Sequence, residues 1–265
     1  MSLPVRSEAL AEILRDAGEI VRRAMASPIE VAQKADGSPV TATDRAVDTF
    51  LRDALTRIVP GSGWLSEETV DDTSRLDREY VWVVDPIDGT KQFIRRIPEI
   101  AISVALVHRG RPVAAAVLNP AADEEGLWLQ GSLPAFRGLL ARDTPPSLDE
   151  AETIVSRTES EAGDLVGLET VVGKTRPVGS VAYKLLRVAA GTDAITYSLR
   201  PKSEWDVCGG IGLLLGSGRV FLRLDGAPVV FNQPTPAILS GAVAGPEPLA
   251  TELRQRILRF LARSR

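Results

Sequence analysis

An apolar run that ends abruptly in acidic residues constrains this chain more than any other stretch. Val81–Val84 follows Tyr80 and is β-branched or aromatic throughout, which predicts a strand covered on both faces of a sheet. Pro86 lacks a backbone N–H, so the strand is expected to end before it and to leave Asp85 and Asp88 on a turn. The spacing of these two acids would then bring both carboxylates to one point.

Two carboxylates at one point repel each other strongly, and a hard divalent cation removes that repulsion. Ligands that are all oxygen atoms suit magnesium better than zinc. Gly89 and Thr90 follow at the expected start of a helix, where backbone N–H groups favour a phosphate. A metal beside a phosphate indicates phosphoryl chemistry. The alternative is a simple tight turn, because Asp-Pro and Asp-Gly are common turn dipeptides.

Composition and charge narrow the classes of partner. The 265 residues allow one large domain or two modest ones, and a net charge of −4 argues against nucleic-acid polymers. No apolar run approaches the ~18 residues of a membrane span, and no signal peptide is expected. The single cysteine, Cys208, excludes an intrachain disulfide and favours a cytoplasmic location. The only histidine, His108, falls in a predicted hairpin turn, which argues against histidine general-base and zinc schemes.

Strands and helices that do not alternate regularly predict layered α/β packing. The segment Arg142–Ser147 contains paired prolines and is the expected boundary between an N-terminal half, 1–145, and a C-terminal half, 146–265. Residue Thr43 or Asp44 is expected to cap one helix, and Asp206 to cap another that begins at Val207. Further expectations are a strand at Val171–Val172, a hairpin of Val220–Leu224 with Pro228–Phe231, and a mobile surface turn containing Arg75.

The motif Asp-Pro-Ile-Asp-Gly-Thr at 85–90 resembles the metal-binding signature of the inositol monophosphatase superfamily. Thr41-Ala42-Thr43-Asp44, the first acid of Glu67-Glu68, and Trp205-Asp206 are similar to further motifs of that family, in the same order. The resemblance implies the sugar-phosphatase fold, an α-β-α-β-α sandwich with mixed sheets and an active site between the halves. One departure is the helix after Asp206, which reads Cys208-Gly209-Gly210-Ile211-Gly212 where the family usually has alanine-rich small residues.

The resemblance also implies the roles of the site residues. It predicts two or three magnesium ions bound by five residues: Glu67, Asp85, Asp88, Asp206 and, through its backbone carbonyl, Ile87. Asp44 and Thr90 would orient the attacking water, with Glu67 also counted as catalytic. Lithium and calcium are expected to inhibit.

The substrate is predicted to be a small phosphorylated molecule, and the bisphosphate nucleotidase branch of the superfamily fits best. That branch has a lysine directly after Asp-Gly-Thr, as here in Lys91, whereas Leu199 stands where inositol phosphatases carry a glutamate. The predicted substrate contacts are Gly89, Thr90, Lys91, Ser180, Lys184 and Arg200. The alternatives are an inositol-1-monophosphatase or related sugar phosphatase, and a non-catalytic binding protein of the same fold. The resemblance is also compatible with a homodimer.

Overall fold

A computed structural model describes residues 3–145, 147–238 and 240–263. The helices, in chain order, are α1 (Ser7–Met25), α2 (Ala42–Ile58), α3 (Thr90–Ile94), α4 (Arg157–Ala162), α5 (Glu169–Val172), α6 (Val181–Ala189), α7 (Glu204–Gly216) and α8 (Glu247–Arg263). One turn of 3₁₀ helix covers Ser74–Asp77. No helix within these ranges is both long and apolar enough to span a bilayer.

Most strands belong to two mixed sheets. The strands are β1 (Val31–Gln33), β2 (Pro39–Thr41), β3 (Gly63–Ser66), β4 (Tyr80–Asp88), β5 (Ala101–His108), β6 (Arg111–Asn119), β7 (Glu124–Leu129), β8 (Ala135–Arg137), β9 (Thr153–Ser156), β10 (Thr175–Val178), β11 (Ile195–Ser198), β12 (Lys202–Ser203), β13 (Val220–Arg223), β14 (Ala237–Ile238) and β15 (Ala242–Gly245). The first sheet has the order β3-β4-β5-β6-β7-β8 and the second β10-β9-β11-β15-β13, while β1-β2 and β12-β14 form small separate pairs.

Helix and sheet layers alternate, as the sequence predicts. Helices α1 and α2 cover one face of the first sheet, α6 and α7 lie between the two sheets, and α5 and α8 form the outer layer beside β13 and β15. The side chains of β4 alternate between two cores: Trp82 and Val84 pack with α1 and α2, and Val81 and Val83 pack with α6 and α7. The prediction of a strand covered on both faces is therefore confirmed, since successive side chains of a strand point to opposite faces.

Helix α7 is the central helix of the sandwich, and its glycines permit close packing. A Cβ atom on Gly210 would lie 2.4 Å from Cβ of Leu185 in α6, and one on Gly212 would lie 2.4 Å from Cβ of Ala115 in β6. Both distances are far below van der Waals contact. The glycine-rich departure from the family pattern therefore lets α7 approach α6 and the first sheet closely.

Several local predictions are wrong. Strand β4 continues through Pro86 to Asp88, because a bulge accommodates the missing donor. Val171–Val172 belongs to helix α5, and β13 pairs with β15 rather than with Pro228–Phe231. Arg75 does not lie on a surface turn: its guanidinium is fully buried and contacts Asn232 and Gln233, which lie far away in the sequence.

The starts of α2 and α7 are also earlier than predicted. Helix α2 begins at Ala42 with Thr41 as its cap, and α7 begins at Glu204 after Ser203. Asp44 and Asp206 are therefore the third residues of their helices rather than caps. Each carboxylate accepts a hydrogen bond from the backbone N–H of the capping residue, at 2.8 Å in both cases. This contact anchors both acids to a rigid helix start.

The segment between the two large sheets contains the predicted boundary. Strand β8 ends the first sheet at Arg137, and β9 begins the second at Thr153. Pro146, within the predicted boundary, lies outside the described residues. The division at 145/146 stays a prediction.

Candidate active site

Three acids from three elements meet where the first sheet contacts α7. Glu67 follows β3, Asp85 lies in β4, and Asp206 lies in the first turn of α7. Because β3 and β4 are parallel with Ser66 beside Val84, the next residues, Glu67 and Asp85, are neighbours as well. One carboxylate oxygen of each of the three acids lies within 4.8 Å of the others. Such a group of oxygen atoms could hold a metal ion.

The carboxylate of Asp85 lacks a hydrogen-bond partner among the described residues. The residue is 1% exposed, and neither of its side-chain oxygens accepts a hydrogen bond within the described part of the chain. A buried ionised carboxylate without partners costs several kcal/mol. A bound cation would supply both the missing charge and the missing contacts, so the donor set fits a metal ion.

Burial and mutual repulsion disfavour the charged forms of these acids. Burial, together with the charges of Glu67 and Asp88, raises the pKa of Asp85 well above its usual range. Burial, and then the charge of Asp88, raises the pKa of Asp206 to about 7. Burial also raises the pKa of Glu67, although Lys34 opposes this. The cluster therefore holds negative charge poorly in the absence of a cation.

The bulge in β4 explains how Asp85 and Asp88 act on the same side of the sheet. Three steps along β4, from Asp85 to Asp88, match only two along β5, from Ser103 to Ala101. In a regular strand, residues three apart point to opposite faces, and one extra residue restores the common side. The convergence predicted from a turn is thus achieved by a bulged strand.

Asp88 differs from Asp85 because protein groups already bind one of its oxygens. Its Oδ2 accepts hydrogen bonds from Ser180 Oγ at 2.7 Å and from the Ala182 N–H at 2.6 Å. Asp88 thereby joins β4 to the start of α6 and lies outside the close group formed by the other three acids. The predicted site residue Ser180 is the cap of α6.

Asp44 and Thr90 are in direct contact, as their predicted joint role requires. Thr90 Oγ1 lies 3.0 Å from Asp44 Oδ1 and 3.1 Å from the carbonyl oxygen of Ile87. Asp44 is 1% exposed, and its other oxygen is bound by the cap of α2. Three of the predicted site residues therefore form one connected group beside the acid cluster.

Lys34 is a member of the site that the sequence reasoning did not select. Its Nζ lies 2.7 Å from Glu67 Oε1 and 2.6 Å from Glu68 Oε1. Burial alone would lower the pKa of Lys34, but the hydrogen bonds to both glutamates hold it above its usual range. The available signal was a single cation among turn residues directly before the Thr41–Asp44 motif.

A cavity of about 310 Å³ opens beside the acids and is lined by residues from 38–92 and from 156–206. Gly89 lines it and has φ of 96°, a conformation that favours glycine, and a Cβ there would also lie 3.1 Å from the carbonyl of Glu99. The cavity includes every predicted substrate contact: Gly89, Thr90, Lys91, Ser180, Lys184 and Arg200.

The three predicted cations of the cavity have different surroundings. Lys91 is exposed at the cavity wall. Lys184 is 2% exposed and donates to the carbonyls of Val178 and Ser180, and burial lowers its pKa to about 8. Arg200 forms an ion pair with Asp164 at 2.5 Å. A fourth cation, Lys202, lines the same cavity and was not predicted.

The alternating layers, with acids gathered where they meet, define the sugar-phosphatase class of fold. A family model described as the inositol monophosphatase family matches residues 4–259, and the chain belongs to this family of phosphatases.

Curated relatives come from two branches. The chain is 31% identical over 222 residues to 3'(2'),5'-bisphosphate nucleotidase CysQ of Salmonella typhimurium, covering 80% of this chain and 87% of that protein. It is 30% identical over 255 residues to inositol-1-monophosphatase of Rhizobium meliloti, covering 93% and 91%. Among solved structures, the extragenic suppressor protein suhB of Bartonella henselae has a TM-score of 0.79 and 25% identity, covering 94% of this chain and 96% of that chain.

Proposed function

We propose that this protein is a magnesium-dependent phosphomonoesterase that removes the 3'-phosphate of 3'-phosphoadenosine 5'-phosphate. The observation that carries the metal dependence is the buried carboxylate of Asp85, which has no hydrogen-bond partner in the part of the chain that the structure describes and lies within 4.8 Å of oxygens of Glu67 and Asp206. A donor set made of carboxylates suits magnesium. Glu67, Asp85, Asp88, Asp206 and the carbonyl of Ile87 would hold two or three ions.

When bound, magnesium ions lower the pKa of water and neutralise charge on the leaving oxygen. The protein's own contribution is to place a water molecule beside Thr90, and Asp44 Oδ1, reached through the Thr90 hydroxyl, would accept the proton that the water loses. A hydroxyl has one hydrogen, so Thr90 can donate to either Asp44 or the Ile87 carbonyl, but not to both at once. When the carbonyl is used as a ligand, Thr90 donates to Asp44, and its lone pairs can accept from water.

Asp44 is suited to orient Thr90 because its position is fixed. The start of α2 binds one oxygen of Asp44 and leaves the other facing Thr90. No covalent phosphoenzyme is needed in this scheme, since water itself attacks phosphorus.

The choice of a bisphosphorylated substrate is supported by the cations of the cavity. One phosphate of such a substrate would occupy the acid cluster with its metal ions, and the second requires a positive partner. Besides the acids, the cavity is lined by Lys91, Lys202 and Arg200, and the charge of Lys202 opposes the rise in the pKa of Asp88 and Asp206. Overall identity does not separate the branches, since it is 31% to the nucleotidase and 30% to the inositol phosphatase. The cytoplasmic location and the homodimer stay predictions.

The test is a comparison of phosphate esters with the purified protein in magnesium and in excess chelator. We expect 3'-phosphoadenosine 5'-phosphate to have a higher kcat/KM than inositol 1-phosphate, and chelator to abolish both activities. An Asp85→Asn protein, purified identically, controls for contaminating phosphatases. A preference for inositol 1-phosphate would replace the nucleotidase proposal with the inositol one, and no magnesium-dependent phosphate release would favour a non-catalytic binding protein.

Lithium provides a second test of the same site. The family resemblance predicts that millimolar lithium, and also calcium, inhibits turnover. Calcium accepts looser coordination than the octahedral arrangement that magnesium imposes. The measurement is the initial rate at fixed magnesium with lithium or calcium chloride, and sodium chloride is the ionic-strength control. Undiminished rates in both salts would contradict the proposed site.

A further inference from the structure

Lys202 lies at the part of the cavity wall contributed by the C-terminal half. It is the first residue of β12, four residues before Asp206, and its backbone is fixed because β12 pairs with β14, where Lys202 lies opposite Ile238. Its side chain is 13% exposed, so the ammonium group is largely sheltered from solvent while it lines the cavity. A charge in such a place interacts more strongly with an anion than one on the open surface.

The contacts that hold the Lys202 ammonium are long. Its Nζ lies 3.4 Å from Glu159 Oε1, 3.3 Å from the carbonyl of Arg200 and 3.4 Å from the carbonyl of Pro201. Ordinary hydrogen bonds of this kind are about 2.7–3.2 Å long. Lys202 is therefore restrained by three weak contacts rather than by one strong one, and its donors remain available to a better acceptor.

Glu159 does not depend on Lys202 for its own hydrogen bonds. It is 1% exposed and accepts from Ser198 Oγ and from the Leu199 N–H, the latter at 2.8 Å. If Lys202 moved toward an anion in the cavity, both oxygens of Glu159 would keep a partner. The arrangement thus permits Lys202 to exchange Glu159 for a ligand.

The other cations described at the cavity are less suitable. Lys184 is buried against two carbonyls, Arg200 is paired with Asp164 at 2.5 Å, and Lys91 is exposed. Among these four, Lys202 is largely sheltered and has no hydrogen bond to the described residues shorter than 3.3 Å, whereas the fully buried Lys184 has one carbonyl at 3.1 Å.

We infer that Lys202 selects substrates that carry a second anionic group, such as nucleoside bisphosphates, by transferring its hydrogen bonds from Glu159 to that group. This inference rests on the proposed function and deepens it. A monoester without a second anion would leave Lys202 beside Glu159, where its charge acts on the site only through Asp88 and Asp206. Lys202 is thus a specificity-determining residue, distinct from the residues proposed for the chemical step.

The experiment compares a nucleoside 3',5'-bisphosphate with the matching nucleoside 3'-monophosphate, using wild type, Lys202→Met and Lys202→Arg with magnesium. Methionine keeps most of the length of the side chain and removes its charge. We expect Lys202→Met to lower kcat/KM for the bisphosphate by roughly ten- to a hundredfold, mainly through KM. The monophosphate should change by less than about threefold, and Lys202→Arg should retain most of the preference. Lys174→Met, at an exposed position outside the cavity, controls for the change in net charge.

The outcomes separate this inference from the proposed function. If the wild type releases phosphate from neither ester, the proposed function fails first. If the wild type prefers the bisphosphate but Lys202→Met keeps that preference, only the inference about Lys202 is overturned. An equal loss for both esters would also overturn it, because that result indicates damage to the site rather than lost recognition.

Discussion

At the scale of single residues, the acids of the site divide into two kinds. Within the described residues, Asp85 has no hydrogen-bond partner for either oxygen, whereas Asp88 has two donors on one oxygen. The buried carboxylate of Asp85 requires a nearby cation to be stable when ionised. Asp88, in contrast, also connects β4 to the start of α6. Substitution of Asp88 must therefore be judged by both its effect on activity and its effect on folding.

Asp88→Asn should keep the fold and lose activity. An asparagine carbonyl can still accept from Ser180 and Ala182, but it lacks the negative charge that the metal ions need. We expect kcat at saturating magnesium to fall by at least about a hundredfold, with an unchanged circular dichroism spectrum. Asp149→Asn is the matched control, since the side chain of Asp149 is 74% exposed. A folded Asp88→Asn protein with near wild-type turnover would contradict the assignment of Asp88 as a ligand.

Lys91→Ala should narrow the preference for a bisphosphate, but by less than Lys202→Met. Lys91 is exposed, and an exposed ion pair contributes only ~0–1 kcal/mol, or up to about fivefold in kcat/KM. Steady-state kinetics on 3'-phosphoadenosine 5'-phosphate and inositol 1-phosphate measure the change. Raised salt should reduce the Lys91 contribution further, because exposed charges are screened. Equal damage to both substrates would refute a role for Lys91 in the second phosphate.

At the scale of elements, the close contact between α6 and α7 leaves no space for a side chain at Gly210. Gly210→Ala should destabilise the protein even though alanine is the better helix former. Alanine gains up to ~1 kcal/mol in helix propensity, but a Cβ 2.4 Å from Cβ of Leu185 forces apart two packed helices at a cost of about 1–3 kcal/mol. Leu215→Ala in the same helix is the control, because Leu215 is 54% exposed.

The free energy of unfolding, measured by denaturant titration with magnesium present, tests this prediction. We expect Gly210→Ala to lose about 1–2 kcal/mol net and Leu215→Ala to lose less than about 0.5 kcal/mol. A Gly210→Ala protein as stable as the wild type would show that α6 and α7 do not require the contact distance seen here.

At the scale of the whole molecule, the acid cluster links stability to pH. Burial raises the pKa of Asp85, Asp88 and Asp206 in the folded protein, for Asp206 to about 7. The folded state therefore binds more protons than the unfolded state over this range. The contribution of these groups is favourable below the unfolded value of about 4 and is lost as pH rises through the folded value.

Magnesium should therefore stabilise the protein more at pH 8 than at pH 5. At pH 8 the folded state of the metal-free protein carries repelling carboxylates, a penalty on the order of a few kcal/mol that the cation removes. Thermal unfolding with magnesium and with chelator at both pH values measures the difference in Tm. Asp85→Asn should show a smaller difference. Equal stabilisation at the two pH values would mean that the cluster does not bind the ion.

The local sequence pattern predicted the central strand and the acids of the candidate site. The strand around Val81–Val84 was predicted because a continuous apolar run is typical of a strand that is buried on both faces, as this one is. The acids at 44, 67, 85, 88 and 206 were selected by motif. The structure brings oxygens of Glu67, Asp85 and Asp206 within 4.8 Å of one another, and Asp44 and Asp88 lie beside this group. The errors at Pro86, Thr41 and Ser203 are shifts of element boundaries, where sequence preferences are weakest and bulges or capping contacts decide.

The sequence by itself determined the layered α/β class, the choice of acids and the family, because residue type and short-range spacing carry that information. Only the tertiary structure decided which charged side chains already have protein partners and which can bind a ligand. Asp85 has no hydrogen-bond partner in the described ranges, Lys184 is buried against carbonyls, and Lys202 is 43 residues from its weak partner Glu159. Whether a charged group is solvated, paired or exposed to a ligand depends on neighbours brought from distant parts of the chain, and no local pattern encodes those neighbours.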